Sequence, residues 1–226
     1  MKNTIIFDKK ISFKQGETLT FFLNENLNFK VESKIFSAQT LNKIQVYLKN
    51  LKFKKEKIIS FDISEKNKVL FIIVKEKLFS NNFEELGANF YSFIKTNKID
   101  KVNLYADTLK SFKSYKKNTE SILNFIHGFN LKSYSFDKYK TQNKNIFYFL
   151  LNIISSKKNS LNNNYFRYKA IESGVFQTRD LVSEPPNILY PKKYVEIIKK
   201  LSSLGLKIKI YNESKMKMLG MNALWA

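Results

Sequence analysis

Chemistry by side chains needs acids, bases, nucleophiles or metal ligands that converge, and this sequence offers few of them. A single histidine, His127, stands in a chain with no cysteine. A zinc site draws on several His and Cys ligands, and no second His or any Cys can complete one here. Beside Phe125 and Ile126 on a helical stretch, His127 reads as a structural side chain. The closest carboxylate pairs are Glu84–Glu85 and Asp180/Glu184. The first suits the favourable charge of a helix start, the second a solvated helix end. Arg179 and Asp180 either pair across a domain interface or face solvent. Ser173 and Ser183 lack any base partner, so a Ser-His-Asp arrangement has no support. Six scattered glycines form neither a G-x-G-x-x-G nor a Walker pattern. The expectation is no catalytic and no metal-binding residue in this chain; substrate-binding residues are left unassigned.

The elements around these residues are better defined. Tyr168, Ile171, Val175 and Val182 recur at helical spacing, which predicts a helix with one buried face. Pro185 and Pro186 must end it. A further helix restarts at Pro191, where a missing N–H costs nothing. Tyr190, in the capping position, should make that start weak. Tyr194, Ile198 and Leu201 line its face, and Gly205 supplies its end. Leu206–Tyr211 alternates as a strand, Glu213–Leu219 reads as a short helix, and Asn222–Ala226 begins another strand.

Upstream, Thr4–Phe7 and Leu19–Leu23 read as strands around a polar loop holding Gly16, while Asn24 to Ser37 carries no pattern. Leu41, Ile44, Leu48 and Leu51 mark an amphipathic helix. Lys57–Ile63 and Val69–Val74 are strands, the second apolar on both faces and so expected inside a sheet covered on both sides. A helix should start near Asn81, with Asn81 and Glu84 as a capping box, then come a strand at Val102–Ala106 and a helix at Thr119–Phe129 with Gly128 near its end. A strand is expected after that helix, before Thr141, and a buried one at Asn145–Ile154. The alternation predicts an α/β fold with a mixed, mostly parallel sheet. The polar run Ser155–Asn164 marks a boundary. The division is thus residues 1–155, a linker at 156–164, and residues 165–226.

The chain has 226 residues, 43% of them apolar, and a formal charge of +21. Only Arg167 and Arg179 are arginines, whereas base and phosphate recognition favours arginine. Lysine travelling with Asn, Ile, Phe and Tyr fits an A/T-rich coding sequence. Weak, salt-sensitive nucleic-acid binding would follow from the charge in either case. The start of the chain does not read as a signal peptide. The nine-residue run Ile146–Ile154 falls far short of the ~20 apolar residues that span a bilayer. No membrane partner is expected, and the lack of cysteine suits a cytoplasmic setting.

Gly174-Val-Phe-Gln-Thr-Arg-Asp-Leu-Val-Ser-Glu-Pro-Pro-Asn-Ile-Leu-Tyr-Pro191 closely resembles the leucyl (cytosol) aminopeptidases, as do Leu204–Tyr211 and Met218–Leu224. A Gly-x-x-Leu-x-x-Tyr-x-Phe-x-x-Tyr run adds to this through Gly128, Leu131, Tyr134, Phe136 and Tyr139, which read as packing rather than chemistry. The resemblance implies an amino-terminal macro-like α/β domain, a connector helix and an incomplete α/β catalytic domain. It also implies a hexameric cytoplasmic exopeptidase acting on peptide substrates with two divalent metal ions, Mn or Zn. That family's metal ligands and catalytic Lys and Arg lie in Lys-Gly-x-x-Phe-Asp and Asn-Thr-Asp-Ala-Glu-Gly-Arg type motifs. Neither occurs here, so this chain alone should be inert.

Three readings follow. The chain is the amino-terminal portion of such an enzyme, or a stand-alone Lys-rich nucleic-acid-binding or assembly module derived from that portion, or a non-functional product of an interrupted gene. A parallel sheet segment needs cover on both faces, so apolar surface should be exposed from about residue 165 onward.

Overall fold

Period-2 and period-3.6 stretches alternate along the chain, and they fold as strands and helices in that order. The computed structural model describes residues 3–10, 16–27, 29, 35–51, 57–75, 80–112, 119–141 and 147–224. Its strands are β1 (Thr4–Asp8), β2 (Thr18–Asn24), β3 (Ile58–Asp62), β4 (Lys68–Val74), β5 (Lys101–Tyr105) and β6 (Leu150–Ile154). Its α-helices are α1 (Ala38–Asn50), α2 (Ser80–Thr96), α3 (Thr119–Lys132), α4 (Lys158–Ser183), α5 (Pro191–Lys199) and α6 (Glu213–Met218). Two compact units divide the chain, Met1–Phe176 and Gln177–Ala226.

The first unit holds one six-stranded sheet in the order β1-β6-β5-β2-β4-β3. Every pairing is parallel except β3 with β4. The expected α/β fold with a mixed, mostly parallel sheet is therefore what forms. β2 sits inside the sheet, and alternate side chains enter opposite cores. Leu19, Phe21 and Leu23 join Ile44 and Leu48 of α1 in the smaller core. Phe22 joins side chains of α2, α3 and α4 in the larger one. β4 is likewise interior, with Val69 and Phe71 in one core and Leu70, Ile72 and Val74 in the other. Burial on both faces explains its unbroken apolar run.

Local signals set the helix ends. The Ser37 hydroxyl accepts from the Thr40 N–H at 3.2 Å and caps α1. α2 starts at Ser80; the expected Asn81 cap involves a side chain outside the described ones. α2 and α3 cross so closely that a Cβ on Gly87 would lie 1.9 Å from the Phe125 carbonyl oxygen, and one on Gly128 1.9 Å from that of Glu84. Gly128 is thus a contact point between helices rather than a terminator.

Several expectations are corrected. Residues 158–164, read as linker, are the opening turns of α4. Leu161 and Tyr165 are buried there, and their packing outweighs the weak helix propensity of Ser and Asn. The predicted buried stripe is also displaced: Ile171 is 46% exposed and Val182 82%, while Leu161, Tyr165 and Glu172 are the buried residues of α4. After α3, residues 134–141 run as coil and turn instead of a strand. Residues 147–149 are also irregular, so β6 is shorter than expected, and residues 145–146 lie outside the described ones.

In the second unit, α5 starts at Pro191 behind Tyr190, whose side chain makes no cap bond. A 3-10 turn, Lys200–Leu204, leads to Gly205 at φ 87°, the left-handed conformation that glycine adopts without strain. Asn212 caps α6 by accepting from the Lys215 N–H at 3.0 Å. Residues 206–211 are irregular and belong to no ladder, and Asn222–Leu224 is a 3-10 turn, so neither expected strand forms among the described residues. A strand needs a partner to satisfy its backbone. Trp225 and Ala226 lie outside the described residues. No described residue from 177 to 224 is buried.

Candidate functional site

α4 brings a carboxylate to α3 where sequence alone placed only a histidine. Glu172 is 2% exposed, and its two oxygens are met from three sides. Its Oε1 lies 2.9 Å from Nδ1 of His127. Its Oε2 accepts from the Tyr165 hydroxyl at 3.0 Å and from the Asn130 amide. The Tyr168 ring stands edge-on to the imidazole at 5.3 Å, and its hydroxyl donates to Asn124 Oδ1 at 2.8 Å. Burial, and then the neighbouring Glu172 carboxylate, push the Tyr165 hydroxyl far above the ordinary tyrosine range, so it serves as a permanent donor.

Chemically this cluster is a staple. A buried carboxylate is tolerated because its oxygens are hydrogen-bonded. With three protein groups on its oxygens and almost no exposure, it is closed to a substrate. Sequence reasoning missed Glu172 because a glutamate inside a helix defaults to the solvent face. The signal was present: Leu161, Tyr165, Tyr168 and Glu172 fall at i, i+4, i+7 and i+11, one face of the helix. His127 is a satisfied side chain, as its sequence setting indicated.

Two further polar clusters lie in the sheet. Glu17 is buried and takes Lys101 Nζ at 2.6 Å and Asn103 Nδ2 at 2.8 Å. Asn103 Oδ1 accepts from Asn152 at 3.0 Å, so the row crosses from β2 to β6. At the carboxyl ends of β5 and β6, Asp107 accepts from the Ser155 hydroxyl at 2.6 Å and the Ser156 N–H at 2.9 Å, with Lys110 at 2.9 Å. Burial raises the Asp107 carboxyl, but the Ser155, Ser156 and Lys110 contacts outweigh it and hold the group below its ordinary value. The carboxyl ends of β5 and β6 are thus tied together by the protein's own carboxylate.

The other weighed residues do not converge. Glu85 pairs with Lys57 at 2.7 Å on the surface, and the hydrogen bond from Lys57 holds its carboxyl low. Glu84 contributes its backbone to the Gly128 contact. Ser173, Asp180 and Ser183 are exposed, and Arg179 and Glu184 half-buried. Tyr134 packs on Phe176 at 5.5 Å, and Phe136 on Tyr139 at 5.8 Å, which is the packing role read for those aromatics. Among the described residues, no group of three or more His, Cys, Asp or Glu could hold a metal ion. No described helix is long and apolar enough to cross a membrane.

No protein-family model matches the chain. A probable cytosol aminopeptidase of Phytoplasma mali (strain AT) is 40% identical over 129 residues, 55% of this chain and 25% of that relative. A tomato leucine aminopeptidase mutant shares the fold with a TM-score of 0.74 and 17% identity, over 97% of this chain and 46% of that one. The bottromycin maturation enzyme BotP, solved in complex with Mn, gives a TM-score of 0.63 at 13% identity, over 91% of this chain and 40% of that one. The match thus spans about a quarter of the length of the curated relative. The chain is thus similar in sequence, over part of its length, to probable cytosol aminopeptidases, and similar in fold, over nearly all of it, to a leucine aminopeptidase.

Proposed function

We propose that this chain is the amino-terminal portion of a leucyl aminopeptidase-like two-metal exopeptidase, which removes amino-terminal residues from peptides in intracellular protein turnover. The observation that carries the proposal is the 40% identity to a probable cytosol aminopeptidase. In this reading residues 1–155 form the macro-like domain, and residues 165–226 hold the connector helix, most of α4, and the start of the catalytic domain. The complete protein is a cytoplasmic hexamer, and its two ions are Mn or Zn.

The side chains described here do not fit two metal ions. Glu172 and Asp107 are consumed by protein donors, and no carboxylate cluster faces solvent among the described residues. Two-metal hydrolysis needs several carboxylates around cations a few ångströms apart. No step of the reaction is therefore assigned to this chain. Its part is architectural: it supplies a rigid sheet, the long helix α4 and the Pro185-Pro186 corner.

The test is the coding sequence past codon 226, followed by assay of the protein it encodes. A continuation into Lys-Gly-x-x-Phe-Asp and Asn-Thr-Asp-Ala-Glu-Gly-Arg type motifs, with Mn-dependent leucine p-nitroanilide hydrolysis, is the expected result. A stop codon with no peptidase activity would refute it.

A further inference from the structure

Among the described residues, β1 lies at the edge of the sheet with β6 as its one neighbour. In a parallel ladder, alternate residues turn their peptide groups to one neighbour. Thr4 donates to the Phe149 carbonyl at 3.0 Å, and the Asp8 carbonyl accepts from the Ser155 N–H at 2.9 Å. Thr4, Ile6 and Asp8 therefore face β6, and the peptide groups of Ile5 and Phe7 face outward. The side chains of Ile5 and Phe7 floor a groove of about 480 Å3, walled by Asn162, Phe166 and Lys169 of α4. Phe166 is 77% exposed, an aromatic ring standing beside an open strand.

The charge around this edge is mostly positive. Lys9 and Lys10 follow the strand, and Lys169 stands on the groove wall. The carboxylate of β1, Asp8, is engaged by the Lys9 N–H at 2.8 Å and approached by Lys158 at 3.8 Å. Flanking lysines guard an edge strand against pairing with its own kind. A second copy would bring two sets of these lysines together, whereas an acidic strand would meet them favourably.

We propose that the outer edge of β1 takes up an extended acidic segment of a partner protein by strand addition. One apolar side chain of that segment enters the groove beside Phe166, and its acidic side chains meet Lys169, Lys9 and Lys10. Main-chain bonds to Ile5 and Phe7 supply affinity, and the groove and lysines supply selectivity.

Fluorescence anisotropy of the full chain with the labelled probe acetyl-Asp-Val-Phe-Val-Asp-amide tests this. Saturable binding is expected. N-methylation of the probe in the register facing β1 removes its main-chain donors to the strand and should weaken binding about tenfold; methylation in the other register should leave it. Replacing both probe aspartates by lysine should abolish binding. Phe166→Ala and Lys169→Glu, both at exposed or groove-wall positions, should each weaken it about threefold or more. Absence of saturable binding, equal binding of the lysine probe, or equal loss from methylation in both registers would overturn the proposal. Dimerisation through β1 in sedimentation, with the probe excluded, would also overturn it. The peptide arms need no protein variant, so a misfolded mutant cannot blunt the test.

Discussion

Replacing Gly128 by alanine sets two effects of opposite sign against each other at one atom. In a helix interior, alanine is better than glycine by about 0.5–1 kcal/mol. Here the new Cβ would stand 1.9 Å from the Glu84 carbonyl oxygen, 2.6 Å from its carbon and 2.8 Å from its Cα. All three are backbone atoms, so no rotamer change can relieve the contact. An ordinary carbon contact requires roughly 1.5 Å more, which must come from separating α2 and α3. Their separation would loosen Phe90 from Phe125 and Phe129, rings now 5.7 and 6.0 Å apart. Overpacking of this kind costs about 1–3 kcal/mol, and rigid neighbours put it at the upper end. The net expectation is about 2 kcal/mol of destabilisation, or about 4–8 °C in Tm for a domain of this size. Gly174→Ala in α4 is the internal control: its Cβ meets nothing within 4 Å, so it should stabilise by about 0.5–1 kcal/mol. Thermal and urea denaturation followed at 222 nm would measure both. If Gly128→Ala were as stable as the parent, or Gly174→Ala fell equally, the close-approach argument would fail.

Two more expectations concern the buried acids. Glu172→Ala strands His127, Asn130 and Tyr165 without their acceptor and should cost about 1–3 kcal/mol in urea denaturation; Glu172→Gln should cost less, and an unchanged stability in Glu172→Ala would show that the staple contributes nothing. Asp107 is held below its ordinary value of 3.8, so between the two values the unfolded chain binds the extra proton and the folded one does not. Its contribution is present above that ordinary value and lost as pH falls through the folded one. Asp107→Asn should therefore flatten the acid limb of stability below about pH 4, and an unchanged limb would refute it.

Much of the sheet was legible because β4 and β2 bury both faces, leaving runs such as Val69–Val74 with no polar interruption. The end of α4 and the start of α5 were legible because Pro185 and Pro191 constrain the backbone by themselves, whereas Gly205 ends the 3-10 turn that follows α5. The order of the strands was not, since register and adjacency depend on contacts distant in sequence. The start of α4 was hidden because Ser and Asn favour caps and turns locally, and only Leu161 and Tyr165, once packed, hold those turns helical. Glu172 was hidden because burial of a carboxylate depends on partners up to 45 residues away. The lysine alternation of Leu206–Tyr211 fits a strand, but a strand is a property of a pair, and no partner stands beside it among the described residues.

On the proposed function, this chain contributes architecture and no chemistry to a peptidase. Hydrolysis of leucine p-nitroanilide by the 226-residue chain with added Mn2+, before and after EDTA, tests it most directly. No turnover above buffer is expected under either condition; turnover that appears with Mn2+ and vanishes with EDTA would place chemistry in this chain and overturn the architectural role.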